Sequence, residues 1–129
     1  MSDFQPRLGA VTLFAEDLAT TKAFYTEIFG LPVTWEDDVS VVFLFGETMV
    51  NLLQVSEAPG LIAPVAVASP DAGARFQFTI HVTDVDATCA ELTGRGAKLL
   101  NGPMDRPWGI RTALIADPAG HLWEIATKA

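Results

Sequence analysis

Two stretches of the sequence, displaced from one another by 67 positions, follow the same order of events, and that repetition restricts the fold more than any other feature. The first reads GAVTLFAEDLATTKAFYTEIFG and the second ARFQFTIHVTDVDATCAELTG. Thr12, Asp17, Thr21, Ala23 and Thr26 superpose on Thr79, Asp84, Thr88, Ala90 and Thr93. Each stretch opens with a β-rich run, residues 8–14 or 76–82, and passes through an aspartate able to accept hydrogen bonds from the free amides at a helix start. A segment of helical period follows: Leu18, Tyr25, Ile28 and Phe29 share one face, as do Val85, Cys89 and Leu92. Gly30 and Gly94 mark the helix ends. After each helix come three short β-rich runs, at residues 31–36, 40–45 and 48–55, and again at 97–100, 109–116 and 121–127. The last two are joined by Asp117-Pro118-Ala119-Gly120, with proline suited to the second turn position and glycine to the fourth. The pattern predicts an α+β chain of two βαβββ modules.

At 129 residues the chain is the size of a single domain. It divides into a first module at about residues 6–55, a linker at 56–74 and a second module at about 75–128. The linker, SEAPGLIAPVAVASPDAGA, is too rich in Pro, Gly and Ala for regular structure. Its Leu61-Ile62 and Val65-Ala66-Val67 are apolar and are expected to cover either an open sheet face or a second subunit, so a homodimer is anticipated. Sixteen acids against eight bases give a net charge of −8, which repels nucleic acid and favours a cationic ligand. No apolar run approaches the ~20 residues of a membrane helix. The opening MSDFQPRLGA lacks the apolar core of a signal peptide. Cys89 is the single cysteine, so an internal disulfide is excluded and a cytoplasmic location is expected. On the inner helix face, Cys89 reads as core and not as a reactive thiol. The sequence contains no G-x-x-x-x-G-K, G-x-G-x-x-G, C-x-x-C or G-x-S-x-G pattern, which leaves nucleotide hydrolysis, dinucleotide redox chemistry and serine hydrolysis without support.

Chemistry-bearing residues gather in the second module. Glu124 stands alone as a carboxylate in an otherwise apolar strand-like run. Alternation puts Gln77, Thr79 and His81 on one side of their strand and Phe78, Ile80 and Val82 against the helices. Gln77 and His81 lie more than ~12 Å apart along an extended chain, too far to share one ion. His81 has two readings, a general base in a pocket or a rim histidine bonded to backbone. His121, after the turn glycine, reads as a residue that satisfies loop carbonyls. Arg111 falls on the Glu124 face if the hairpin loop has two residues and on the other if it has three with a bulge. Facing inward it could pair with Glu124 or hold an anion; otherwise it makes a surface salt bridge. Trp123, alternating with Glu124, reads as core. Trp35 and Trp108 read as pocket walls or interface packing, and Met104, Phe14 and Phe43 as cavity lining or core.

The D-x-x-x-x-x-x-F-Y helix and the D-P-x-G-x-x-x-E ending, set in two βαβββ modules, resemble the vicinal oxygen chelate superfamily across nearly the whole chain. That group includes glyoxalase I, extradiol dioxygenases, fosfomycin-resistance enzymes and bleomycin-resistance proteins. The resemblance implies a curved mixed sheet around a cavity, with the metal-ligand positions of the superfamily's enzymes falling here on Ala10, Asn51, Gln77 and Glu124. Alanine has no donor and carboxamides bind divalent transition metals weakly, so neither metal nor other cofactor is expected. The resemblance then implies a metal-independent binding protein for an aromatic or cationic small molecule. Phe14, Trp35, Met104 and Trp108 would form its walls, and Asn51, Gln77, Arg111 and Glu124 its polar contacts. The alternative is a glyoxalase-type lyase or isomerase, or a dioxygenase-like enzyme, with Glu124 as base or metal ligand or His81 as base.

Overall fold

The structure, a computed structural model, describes residues 4–128; the first three residues of the stretch read as lacking a signal peptide, and Ala129, lie outside the described residues. The first module consists of β1 (Ala10–Ala15), α1 (Leu18–Glu27), β2 (Trp35–Glu36), β3 (Ser40–Phe45) and β4 (Thr48–Gln54). The linker carries a short helix α2 (Pro59–Ile62) between two single turns and is otherwise irregular. The second module repeats the plan with β5 (Phe78–Val82), α3 (Val85–Gly94), β6 (Leu99–Asp105), β7 (Arg111–Ala116) and β8 (Leu122–Thr127). Each module forms its own four-stranded mixed sheet, ordered β1-β4-β3-β2 and β5-β8-β7-β6. In both, the first strand runs parallel to the last and lies at the sheet edge. Among the described residues no helix is long and apolar enough to cross a membrane.

Equivalent residues start the two long helices. The Asp17 carboxylate accepts from the Thr20 amide at 3.1 Å, and Asp84 accepts from the Ala87 amide at 3.0 Å. Each satisfies one of the amides that a helix start leaves without an intrahelical partner. After α1, Gly30 adopts φ +69°, a conformation costly for any residue with a Cβ.

One hydrophobic core joins the modules. Leu13, Val41, Phe43, Val50 and Leu52 from the first sheet meet Ala113, Ile115, Trp123 and Ile125 from the second, with Phe24, Tyr25 and Ile28 of α1 and Val85, Cys89 and Leu92 of α3. Tyr25 stacks on Phe43 and presents its edge to Trp123, while Phe45 stacks on Trp123 with centroids 4.7 Å apart. A polar bridge lies within this aromatic layer. The Trp123 indole N–H donates to the Tyr25 hydroxyl at 3.1 Å, which donates to Asp117 Oδ2 at 2.6 Å. Arg95, just past α3, donates to the Ile28 carbonyl at the end of α1. The helix sides of both sheets therefore face a common interior, and by strand alternation their other faces point away from it.

Three sequence readings change in detail. The strand expected over residues 31–36 shortens to β2, since Pro32 offers no amide to a ladder. β5 begins after Gln77, which leaves that residue outside the strand. β6 extends well beyond the expected 97–100 because an edge strand tolerates Gly102 and Pro103 through two register shifts. Phe43 and Cys89 are core, and burial pushes the Cys89 thiol pKa up.

Candidate functional site

The strand registers lay the candidate residues out in rows. Trp35, Val42, Asn51 and Thr12 stand side by side on the outward face of the first sheet. Leu44, Met49 and Ala10 flank that row on one side, and Ser40, Leu53 and Phe14 on the other. The field is mostly apolar, and at its centre the Asn51 side-chain oxygen is buried without a hydrogen-bond partner. A buried acceptor left unpaired costs about 1–3 kcal/mol, so something outside the described residues is needed to satisfy it.

On the outward face of the second sheet the corresponding row is Thr79, Glu124, Leu114 and Asn101. His81, Ala126, Thr112 and Met104 form the next row. The Thr79 hydroxyl donates to Glu124 Oε1 at 2.9 Å. Thr12 and Thr79 are equivalent in the repeat, so Asn51 holds beside Thr12 the place that Glu124 holds beside Thr79. Each sheet thus presents one strong acceptor next to one threonine.

Phe14, Trp35 and Asn51 are brought together on one face, and His81, Met104 and Glu124 on the other. By strand alternation both faces point away from the shared core. Trp35 is 55% exposed and Trp108, in the β6–β7 connection, 67%. The Arg106 guanidinium lies 5.9 Å from the Trp108 ring centroid and donates to the Thr112 hydroxyl at 2.8 Å, which ties the loop tryptophan to the Glu124-bearing face. Gln77 is exposed just before β5.

Arg111 does not share a face with Glu124. Pairing stops at Ala116 and Leu122, so residues 117–121 form the loop, and its odd length puts Arg111 on the side of Ala113 and Ile115. There its guanidinium grips both Asp86 oxygens, at 2.7 and 3.0 Å, and Asp105 at 3.1 Å. The hydrogen bonds from Arg111 hold the Asp86 carboxyl below its usual range, and those same bonds raise the guanidinium's own pKa. Arg111 is accordingly withdrawn from the ligand-contacting set. Sequence reasoning missed Thr79 as the partner of Glu124, although the Thr12/Thr79 match in the repeat pointed to it. It also missed Arg106, which no pattern marked.

The donor set tests the metal that the fold family implies. Ala10 has no ligating atom, Asn51 and Gln77 are carboxamides, and Glu124 is the one carboxylate of the four. Among the described residues there is no grouping of three or more His, Cys, Asp or Glu side chains able to hold an ion. These residues do not fit a divalent transition metal.

Comparison with known proteins agrees with this architecture. YraH of Bacillus subtilis (strain 168) is 31% identical over 123 residues, covering 92% of this chain and 96% of YraH. A glyoxalase/bleomycin resistance protein/dioxygenase from Nocardioides superposes with a TM-score of 0.86 at 20% identity, covering 98% of this chain and 85% of that one. A lactoylglutathione lyase from Agrobacterium tumefaciens superposes with a TM-score of 0.73 at 25% identity, covering 95% and 94%. Residues 7–125 match the family described as Glyoxalase/Bleomycin resistance protein/Dioxygenase superfamily, and the chain belongs to it.

Proposed function

We propose that the protein binds a small aromatic or cationic molecule without a metal, in a cavity completed by a second copy of the chain. The observation that carries this reading is the buried, unpartnered oxygen of Asn51 in the middle of an apolar sheet face. A carboxamide oxygen of this kind accepts from an N–H or O–H donor, and burial within a complex makes the missing bond worth recovering. Glu124, held at one oxygen by Thr79, keeps its second oxygen for the same kind of partner. Both acceptors select a donor-rich or positively charged ligand, and the net charge of −8 favours its approach. Trp35 and Trp108 supply flat, exposed faces on which such a ring can stack.

The second copy is argued from what one copy leaves bare. Trp35, Leu44 and Met49 stand exposed on the face around Asn51, and β1 and β5 are both unpaired edges. An apolar sheet face and open edges of this kind favour association. Contact between copies would bring the Asn51 face of one against the Glu124 face of the other. A lyase or isomerase reading, with Glu124 as the base, draws on the printed name of the Agrobacterium relative. It is the weaker one, since Arg111, the cation that would stabilise an enediolate, faces away from Glu124.

Titration of tryptophan fluorescence with a panel of cationic aromatic compounds tests the binding reading. Saturable quenching that weakens about tenfold in Asn51→Leu and in Glu124→Gln is expected, a loss typical of one hydrogen bond to a charged or buried group. Hemithioacetal turnover abolished by Glu124→Gln would replace the binding reading with the lyase one. Stoichiometric Zn, Ni, Mn or Fe by elemental analysis would refute metal independence. A light-scattering mass equal to the 13.8 kDa chain would remove the second copy.

A further inference from the structure

His121 lies on neither outward face, and its ring is oriented by a buried carboxylate. Its Nδ1 is 2.9 Å from Asp117 Oδ2. Asp117 also accepts from the Tyr25 hydroxyl at 2.6 Å and from the backbone amides of Ala119 and His121 at 2.9 Å. A carboxylate accepts, so Nδ1 carries a hydrogen, and the tautomer with that hydrogen has its lone pair on Nε2. Among the described residues, Nε2 has no hydrogen-bond partner.

The same residue borders a half-open cavity of about 240 Å³ lined by the linker, β1 and the β7–β8 turn. The linker lies in van der Waals reach of the turn: a Cβ added at Gly120 would stand 3.8 Å from the Pro70 side chain. Phe14, Phe76 and Leu122 contribute apolar walls, and Arg75 contributes a cation. Lys22, Arg95 and Arg111 are engaged in ion pairs and Arg106 with Thr112, whereas Arg7, Lys98 and Lys128 have no ion pair among the described residues and do not line this cavity. Arg75 has no ion-pair or hydrogen-bond partner among the described residues.

We propose that this cavity, which adjoins the Asn51 face at Thr12 and Phe14 but does not include the Asn51 and Glu124 acceptors, is a second ligand site for a small aromatic monocarboxylate that also carries an N–H or O–H donor. Arg75 would take the carboxylate, His121 Nε2 would accept from the donor, and the ring would lie between Phe14 and Phe76. The volume accommodates one or two fused rings. Glu16 on the wall disfavours a second negative charge, which limits the class to monoanions.

The probe is indole-3-acetate, followed by amide chemical-shift changes in the isotope-labelled full chain. Saturable shifts centred on Gly73, Gly120 and His121 are expected. Arg75→Met should weaken binding about tenfold and Arg75→Lys by less, since a lysine keeps the charge and loses the planar fork. Naphthalene-1-acetate, of the same shape without the N–H, should bind several-fold more weakly. The proposal is overturned by shifts centred on Asn51, Thr79 and Glu124, by equal affinity in wild type and Arg75→Met, or by no saturation up to about 5 mM probe.

Discussion

Replacing Tyr25 by phenylalanine removes one oxygen atom, and that oxygen makes two buried hydrogen bonds across the interface between the modules. It donates to Asp117 Oδ2 at 2.6 Å and accepts from the Trp123 indole at 3.1 Å. A hydrogen bond to a charged group contributes roughly 1.5–3 kcal/mol, and a buried indole N–H left unpaired costs about 1–3 kcal/mol. Asp117 keeps its backbone amides and the His121 ring, which favours the lower end of the first range. The cost of Tyr25→Phe is then about 3 kcal/mol, or a fall in Tm of roughly 10 °C for a chain of this size. Urea unfolding followed by tryptophan fluorescence measures it directly. The same oxygen gives a second readout, because Tyr25 is the only tyrosine. Burial, and next the Asp117 carboxylate, push its phenol far above the ordinary 10.0. A group whose pKa is raised by folding contributes fully below its unfolded value, and the contribution is lost as pH climbs above it. Wild-type stability should therefore drop above pH ~10 by up to about 1.4 kcal/mol per unit, and Tyr25→Phe should lack that part of the decline. A loss under about 1 kcal/mol, or tyrosinate absorbance rising near pH 10 in a protein that is still folded, would refute the reasoning.

Asn51→Leu should leave stability unchanged or raise it by about 1 kcal/mol, because it removes an unpaired buried acceptor; a loss above 1 kcal/mol in urea unfolding would mean that the oxygen has a partner in the free protein. Gly102→Ala should cost about 2–4 kcal/mol, since Gly102 has φ +75° and an added Cβ would meet the Thr112 carbonyl and lie 2.8 Å from Ala113 Cα. Thermal unfolding of that variant at wild-type temperature would contradict the close approach. Arg111→Met should bind cationic aromatic probes within about twofold of wild type by fluorescence titration, because the guanidinium is engaged on the helix side with Asp86 and Asp105; a larger change would place it in reach of the ligand.

What the sequence disclosed, and what it withheld, follows the range of the interactions involved. Asp17 and Asp84 were readable as caps because each acts on an amide three residues away. Trp123 could be assigned to the core because it alternates with Glu124 along one strand. The side of Arg111 could not be read, because it depends on where the β7–β8 ladder stops. That is settled by Asp117 drawing in the Ala119 and His121 amides while held from across the chain by Tyr25. β6 was underestimated because Gly102 and Pro103 argue against a strand wherever it is not at an edge, and edge position is a property of the sheet. The Asn51 and Glu124 positions were found by likeness of motif. Their threonine partners and their separation onto two faces needed the registers and the shared core.

The bond between Trp123 and Tyr25 spans 98 positions, and this sets a timetable for the newly made chain. At about 5–20 residues per second, helix α1 leaves the ribosome roughly 5–20 s before the strand that will cover its aromatic side. Throughout that interval Tyr25, Phe29 and Phe45 lack Trp123, the ring that closes over them. The first half is thus born with a sticky surface that only the later synthesis of β8 can bury. Slowing translation between the two modules lengthens its exposure, and chains stalled before β8 are the ones a chaperone would be expected to hold.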